Sequence, residues 1–151
     1  MPMSYWKTMT DFAAQSKHKL MFGLVPQPKE AAALISYTAA QRLPLHAVTF
    51  GNELDGPQIT AGYPALRKLL DAQYPPGGAA TKPLLAGPDV AMQRHVPIDT
   101  ALAGHDDSVN EKLNWVSQFT KAAGTELDVV SWHTCTCCFP RRPPRSLPRR
   151  D

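Results

Sequence analysis

Leu45-His46-Ala47-Val48-Thr49-Phe50, running into Gly51-Asn52-Glu53-Leu54, decides how this chain of 151 residues folds. A β-branched and aromatic run closed by glycine reads as a strand. Upstream, Pro28–Gln41 is rich in alanine and opens with proline, whose missing amide costs nothing in a first helical turn, so it reads as a helix. Before it, Lys19–Leu24 (KLMFGL) is a short apolar run stopped by Pro26-Gln27-Pro28, as expected of a buried strand. Downstream, Tyr63, Leu66, Leu70 and Tyr74 recur at helical spacing until Pro75-Pro76-Gly77-Gly78 ends the pattern. Leu84–Ala86 reads as a third strand, closed by Gly87-Pro88. Ser108 and Glu111 have capping-box spacing ahead of a stripe of Val109, Leu113, Val116 and Ala123, with Gly124 where a helix would end. Leu127–Trp132 (LDVVSW) is the fourth strand. Strands separated by helices predict a parallel sheet of βαβ units, and both faces of such a sheet must be covered. The expected class is α/β.

Composition narrows the alternatives. Hydrophobic residues make up 43% of the chain, enough for one ordinary domain. No run reaches the ~18–20 apolar residues of a spanning helix, so no transmembrane segment is expected. MPMSYWKTMTDFAAQS lacks the basic start, apolar stretch and cleavage site of a signal peptide. The formal charge of +3 belongs to the end of the chain: Arg141, Arg142, Arg145, Arg149 and Arg150 all follow Pro140. Over Met1–Phe139, eleven basic residues face twelve acidic ones, which gives no bias toward nucleic acid. Residues 140–151 (PRRPPRSLPRRD) cannot bury enough apolar surface to offset ordering, and read as a disordered Pro/Arg-rich tail after a domain at 1–139.

The chemistry is expected just after the second strand. In parallel α/β folds the functional face is lined by C-terminal strand ends. There Glu53 could serve as general acid/base, with Asn52 hydrogen-bonding a substrate hydroxyl. Alone, Gly-Asn-Glu is a weak signal, because a Gly-Asn turn with a solvated glutamate is common. Asp89 and His133 end the next two strands on the same predicted face. For each, a pocket-lining role stands beside a simpler one, a turn carboxylate for Asp89 and a satisfied strand-end histidine for His133. His18, His46, His95 and His105 lack ligand spacing. Cys135, Cys137 and Cys138 have no second Cys/His pair after them, against the four ligands usual for structural zinc. No metal and no cofactor are expected, and no GxxxxGK[ST] phosphate loop occurs.

Taken in order, LMFGL, FGNELDG, LLAGPDV and DVVSWH resemble landmarks of heparanase and its plant-type relatives, glycoside hydrolase family 79. The resemblance covers about Trp6 to His133. It implies part of a (β/α)8 TIM barrel, about four parallel strands with flanking helices, and a retaining mechanism acting on β-glucuronide linkages in a glycan or glycoside. It also implies that Glu53 is the acid/base, that Asn52 contacts the sugar 2-hydroxyl, and that His133 lies at the substrate site. Family members enter the secretory pathway.

The same resemblance exposes departures. The family's WHHYY stands here as Trp132-His133-Thr134-Cys135-Thr136, and its FGLN as FGLV with Val25. A retaining glycosidase needs a second carboxylate about 5–5.5 Å from the first. In the family that nucleophile comes from a strand beyond WHHYY, and neither Glu111 nor Glu126 suits the role. The expectation is a fragment, inactive by itself, whose partner is the remainder of the barrel in a full-length protein. The alternatives are a non-catalytic product binding acidic glycans through its arginines, or an interaction module on its own α/β scaffold.

Overall fold

The computed structural model describes residues 1–52, 54, 56–91 and 107–133, with backbone alone at 91, 107–113 and 133. Helix α1 (Met3–Gln15) leads into strand β1 (Met21–Leu24). Helix α2 (Pro28–Ala40) and strand β2 (Ala47–Phe50) follow, then α3 (Pro57–Gln73) and β3 (Leu84–Ala91). Helix α4 (Asp107–Ala123), a short 3-10 turn at Gly124–Glu126 and strand β4 (Val129–His133) complete the described chain. The strands form one sheet in the order β1-β2-β3-β4, and every pairing is parallel. The expected α/β class is therefore present, as four parallel strands with flanking helices.

Sequential parallel strands need crossovers, and crossovers of the usual right hand all fall on one face. Packing of α2 against α3 and of α3 against α4 agrees with that arrangement. Register assigns the faces. Phe22 pairs with Val48, Leu24 with Phe50, and Val48 with Leu85. These five side chains meet the helices in the core, together with Ile35, Tyr63, Leu66, Leu70 and Phe119. Tyr63 is its aromatic centre, edge-on to Phe119 at 5.0 Å and to Phe50 at 6.1 Å between ring centroids.

Helix α1 was not legible as a helix in the sequence, yet it is anchored firmly. Trp6 is fully buried, its ring edge-on to Phe22 at 4.8 Å. Its Nε1 donates to Thr38 Oγ1 at 2.8 Å, and that hydroxyl donates to Leu34 O at 2.6 Å. A buried indole N–H left without an acceptor would cost roughly 1–3 kcal/mol, so this chain of bonds makes the tryptophan tolerable at α1–α2.

Several expected boundaries move: β1, β2 and β4 begin two residues later than expected, at Met21, Ala47 and Val129, and β4 runs on to His133. Helix α3 begins at Pro57 rather than Tyr63 and runs through Pro64. Strand β3 does not stop at Gly87-Pro88 but continues to Ala91, because β4 pairs with Pro88, Val90 and Ala91. A bulge between Pro88 and Val90 absorbs the residue in between. Asp89 is thus a bulge residue inside a strand, which corrects its reading as a turn carboxylate. Ser108 lies one residue inside α4 rather than at its cap, and the side chains of the expected capping box lie outside the described residues. The tail at 140–151 and the three cysteines lie outside them too.

Candidate functional site

Parallel pairing brings Leu24, Phe50, Ala91 and His133 to the same end of the sheet as the last residues of their strands. At that end β2 behaves differently toward its two neighbours. Its ladder with β1 runs on to a Gly51 N–Leu24 O bond of 2.8 Å, whereas its pairing with β3 ends at Val48 and Leu85. The Tyr63 hydroxyl enters the gap and accepts from Phe50 N at 3.3 Å, which supplies the amide with the partner β3 withholds. Tyr63 fits only because Gly87 faces it: a Cβ at 87 would fall on the phenol ring and hydroxyl.

Below the same gap, the buried Thr49 Oγ1 is shared between Gly51 O and Asp89 Oδ2, at 3.4 Å each. Both contacts are long and weak. Asp89 has φ 56°, a left-handed conformation that aspartate tolerates better than most residues. Bulges re-aim side chains, and this one turns a half-buried carboxylate toward Thr49. Burial pushes the Tyr63 phenol up to about 12; the Phe50 N–H bond opposes the shift and the nearby Asp89 charge adds to it. Tyr63 is therefore a neutral wedge, and Asp89 sits close enough for its charge to be felt.

The chain then turns at Gly51, whose φ of 88° suits glycine, and Asn52 follows, exposed to solvent. Asn52 is thus exposed just past the C-terminal end of β2, where the sequence places it. Glu53, the expected acid/base, lies outside the described residues. His133 is the last residue of β4 and pairs with Ala91; its side chain lies outside the described residues. Glu126 sits in the 3-10 turn before β4, at the opposite end of that strand, so it is far from a nucleophile's place. Thr49 and Tyr63 were missed as site residues. The signal for Thr49 was a lone hydroxyl in an otherwise apolar strand.

A cleft of about 810 Å³ is lined by Pro26, Phe50, Leu54, Gly56, Ile59 and Gly62 among others. It is apolar and lies on the helix side of β2, so it does not include Thr49 or Asp89. At this end of the sheet the half-buried Asp89 carboxylate meets the buried Thr49 hydroxyl, and Asn52 is exposed beyond Gly51. Among the described residues no three His, Cys, Asp or Glu side chains gather as a metal site. None of the described helices is long and apolar enough to cross a membrane. Compared with known proteins, the chain matches no protein-family model and no curated protein.

Proposed function

We propose that this chain carries the acid/base half of a heparanase-like retaining glycoside hydrolase, on about four strands of a (β/α)8 barrel. In this reading Glu53 protonates the leaving oxygen of a β-glucuronide and later activates water, while Asn52 holds the 2-hydroxyl. His133, the last residue of β4, belongs to the substrate site on the same reading. The observation that carries the reading is the sequential, all-parallel sheet order, which brings the Gly51-Asn52 turn, Asp89 and His133 to one end. Barrel enzymes keep their chemistry at that end. The second carboxylate would come from other strands, so the described half binds the sugar without hydrolysing it.

Titration of isotope-labelled protein with methyl β-D-glucuronide, followed by amide NMR, tests this. Shifts confined to residues 49–54, Asp89 and His133, and weakened by Asn52→Ala, are expected. No shifts at saturating sugar, or shifts only around the apolar cleft, defeat the reading. Turnover of an aryl β-glucuronide by this chain, abolished by Glu53→Gln, would keep the glycosidase assignment and overturn the claim of inactivity.

A further inference from the structure

Among the described residues both edges of the sheet are open and carry exposed apolar side chains. Among the described residues β1 and β4 are each paired on one side only. On β4, Val130 pairs with Gly87, which faces Tyr63, so Val130 and Trp132 lie on the helix-covered face. They are nevertheless 48% and 61% exposed, because among the described residues no helix covers the outer side of β4. At the other edge, α1 buries Trp6, Thr10 and Ala13 and presents Tyr5, Met9 and Phe12 outward at helical spacing, Phe12 being 70% exposed. A helix that is apolar on two faces has a neighbour on each.

The two edges are complementary in a specific way. Each described strand is preceded by its own helix, and Trp6 seats α1 on β1 and α2 on the helix-bearing face. The outer stripe of α1 therefore overhangs the place where a strand before β1 would lie. Among the described residues the outer face of β4 has no helix following it. One copy's β4 supplies that strand, and the other copy's α1 supplies that helix.

We propose that two copies of this chain associate edge to edge, β4 of each pairing in parallel with β1 of the other, and close an eight-stranded barrel about a twofold axis. The inference rests on the half-barrel reading of the sheet and not on the chemistry of Glu53. Twofold closure leaves no free edge, whereas a single such contact would propagate as a filament. Eight is also the strand number at which a barrel's interior is filled by its own side chains. Taking roughly 150–250 Å² for a fully exposed large side chain, Tyr5, Met9, Phe12, Met21, Val129, Val130 and Trp132 expose roughly 700 Å² per copy at their fractional accessibilities. A standard interface takes ~800 Å² from each partner, and the strand edges add to the side-chain area.

Sedimentation velocity and light scattering on the full chain decide the matter. The expected mass is twice the 16.6 kDa of one chain. Phe12→Glu and Trp132→Lys should each give monomers of unchanged circular dichroism, and the two together should restore the dimer, because the new charges meet across the interface. A monomer at the highest soluble concentration, growth beyond the dimer, or a dimer indifferent to both substitutions overturns the proposal. If the chain is monomeric, hydrogen exchange separates the two readings. Unprotected edge amides on β1 and β4 would leave the half-barrel standing without its self-association, whereas protected ones would remove both.

Discussion

Asp128 is the most informative residue to perturb, because it ties three elements together just before β4. Its Oδ2 accepts from Leu85 N at 2.8 Å and from Arg67 Nη2 at 2.8 Å, while its own N–H donates to Leu85 O at 2.9 Å. Arg67, largely buried on α3, also donates through Nε to Glu126 O at 2.9 Å. Partial burial pushes the Asp128 carboxyl up, but the Leu85 amide, Arg67 and Lys82 together outweigh it and hold the group below the usual carboxylate range. Charge-assisted bonds are worth about 1.5–3 kcal/mol each when sheltered. With the side chain 36% exposed, solvent removes a good part of that. Asp128→Ala should therefore cost about 2 kcal/mol, and lower Tm by roughly 8 °C at ~4 °C per kcal/mol for a domain of this size. Asp128→Asn keeps an acceptor for Leu85 and loses the charge opposite Arg67, so about 1 kcal/mol is expected. A group whose folded pKa is depressed stabilises above its unfolded pKa, and loses that contribution as pH falls through the folded value. Urea unfolding should show the wild-type advantage over Asp128→Asn at neutral pH and its loss in acid, as pH falls through the depressed folded value and the carboxyl protonates. An Asp128→Ala protein within about 0.5 kcal/mol of wild type at neutral pH refutes the argument. So does an Asn difference that does not change with pH.

Two further perturbations address the wedge between β2 and β3. Gly87→Ala puts a methyl on the Tyr63 phenol and should destabilise by roughly 2–3 kcal/mol, part overpacking and part loss of the acceptor for Phe50 N–H. Adding Tyr63→Phe should cost less than the separate effects summed, and strict additivity in a double-mutant cycle would disprove the contact. Tyr63 and Tyr74 are both pushed up to about 12, by burial first, and the Tyr74 hydroxyl has no partner among the described residues. With folded values raised, their contribution is whole below pH ~10 and is lost as pH rises toward the folded values. An ultraviolet titration should show these two ionising only with alkaline unfolding; ionisation near pH 10 in the folded protein would contradict the burial.

The strands and most helices were legible because their apolar periods are clean and their ends carry Gly or Pro. Val48 and Phe50 alternate with Ala47 and Thr49, and Pro28 opens α2 where it should. Helix α1 escaped because Tyr5, Met9 and Phe12 fill the gaps between Trp6, Thr10 and Ala13, and two apolar stripes on one helix blur its period. Strand β3 was cut short because Gly87-Pro88 is an ordinary stop signal, overridden by pairing with β4 and by a bulge that no local pattern announces. Asn52 was nominated from its position after a strand, and the structure shows it exposed just past β2. Tyr63 was read only as a helix-stripe residue, since nothing nearby in sequence says that Gly87 leaves room for its hydroxyl.

The sheet order has a consequence for how the chain is made. Among the described residues every pairing joins strands consecutive in the chain, so none of these pairings waits for a segment synthesised much later. As the polypeptide leaves the ribosome, each helix and strand can dock on a neighbour that is already complete, and the growing edge moves steadily toward the C-terminus. Such a chain avoids the long loop closures that slow most β topologies. It also carries one unsatisfied strand edge forward through the whole of its synthesis, which makes that travelling edge the point where a stalled or crowded nascent chain would aggregate.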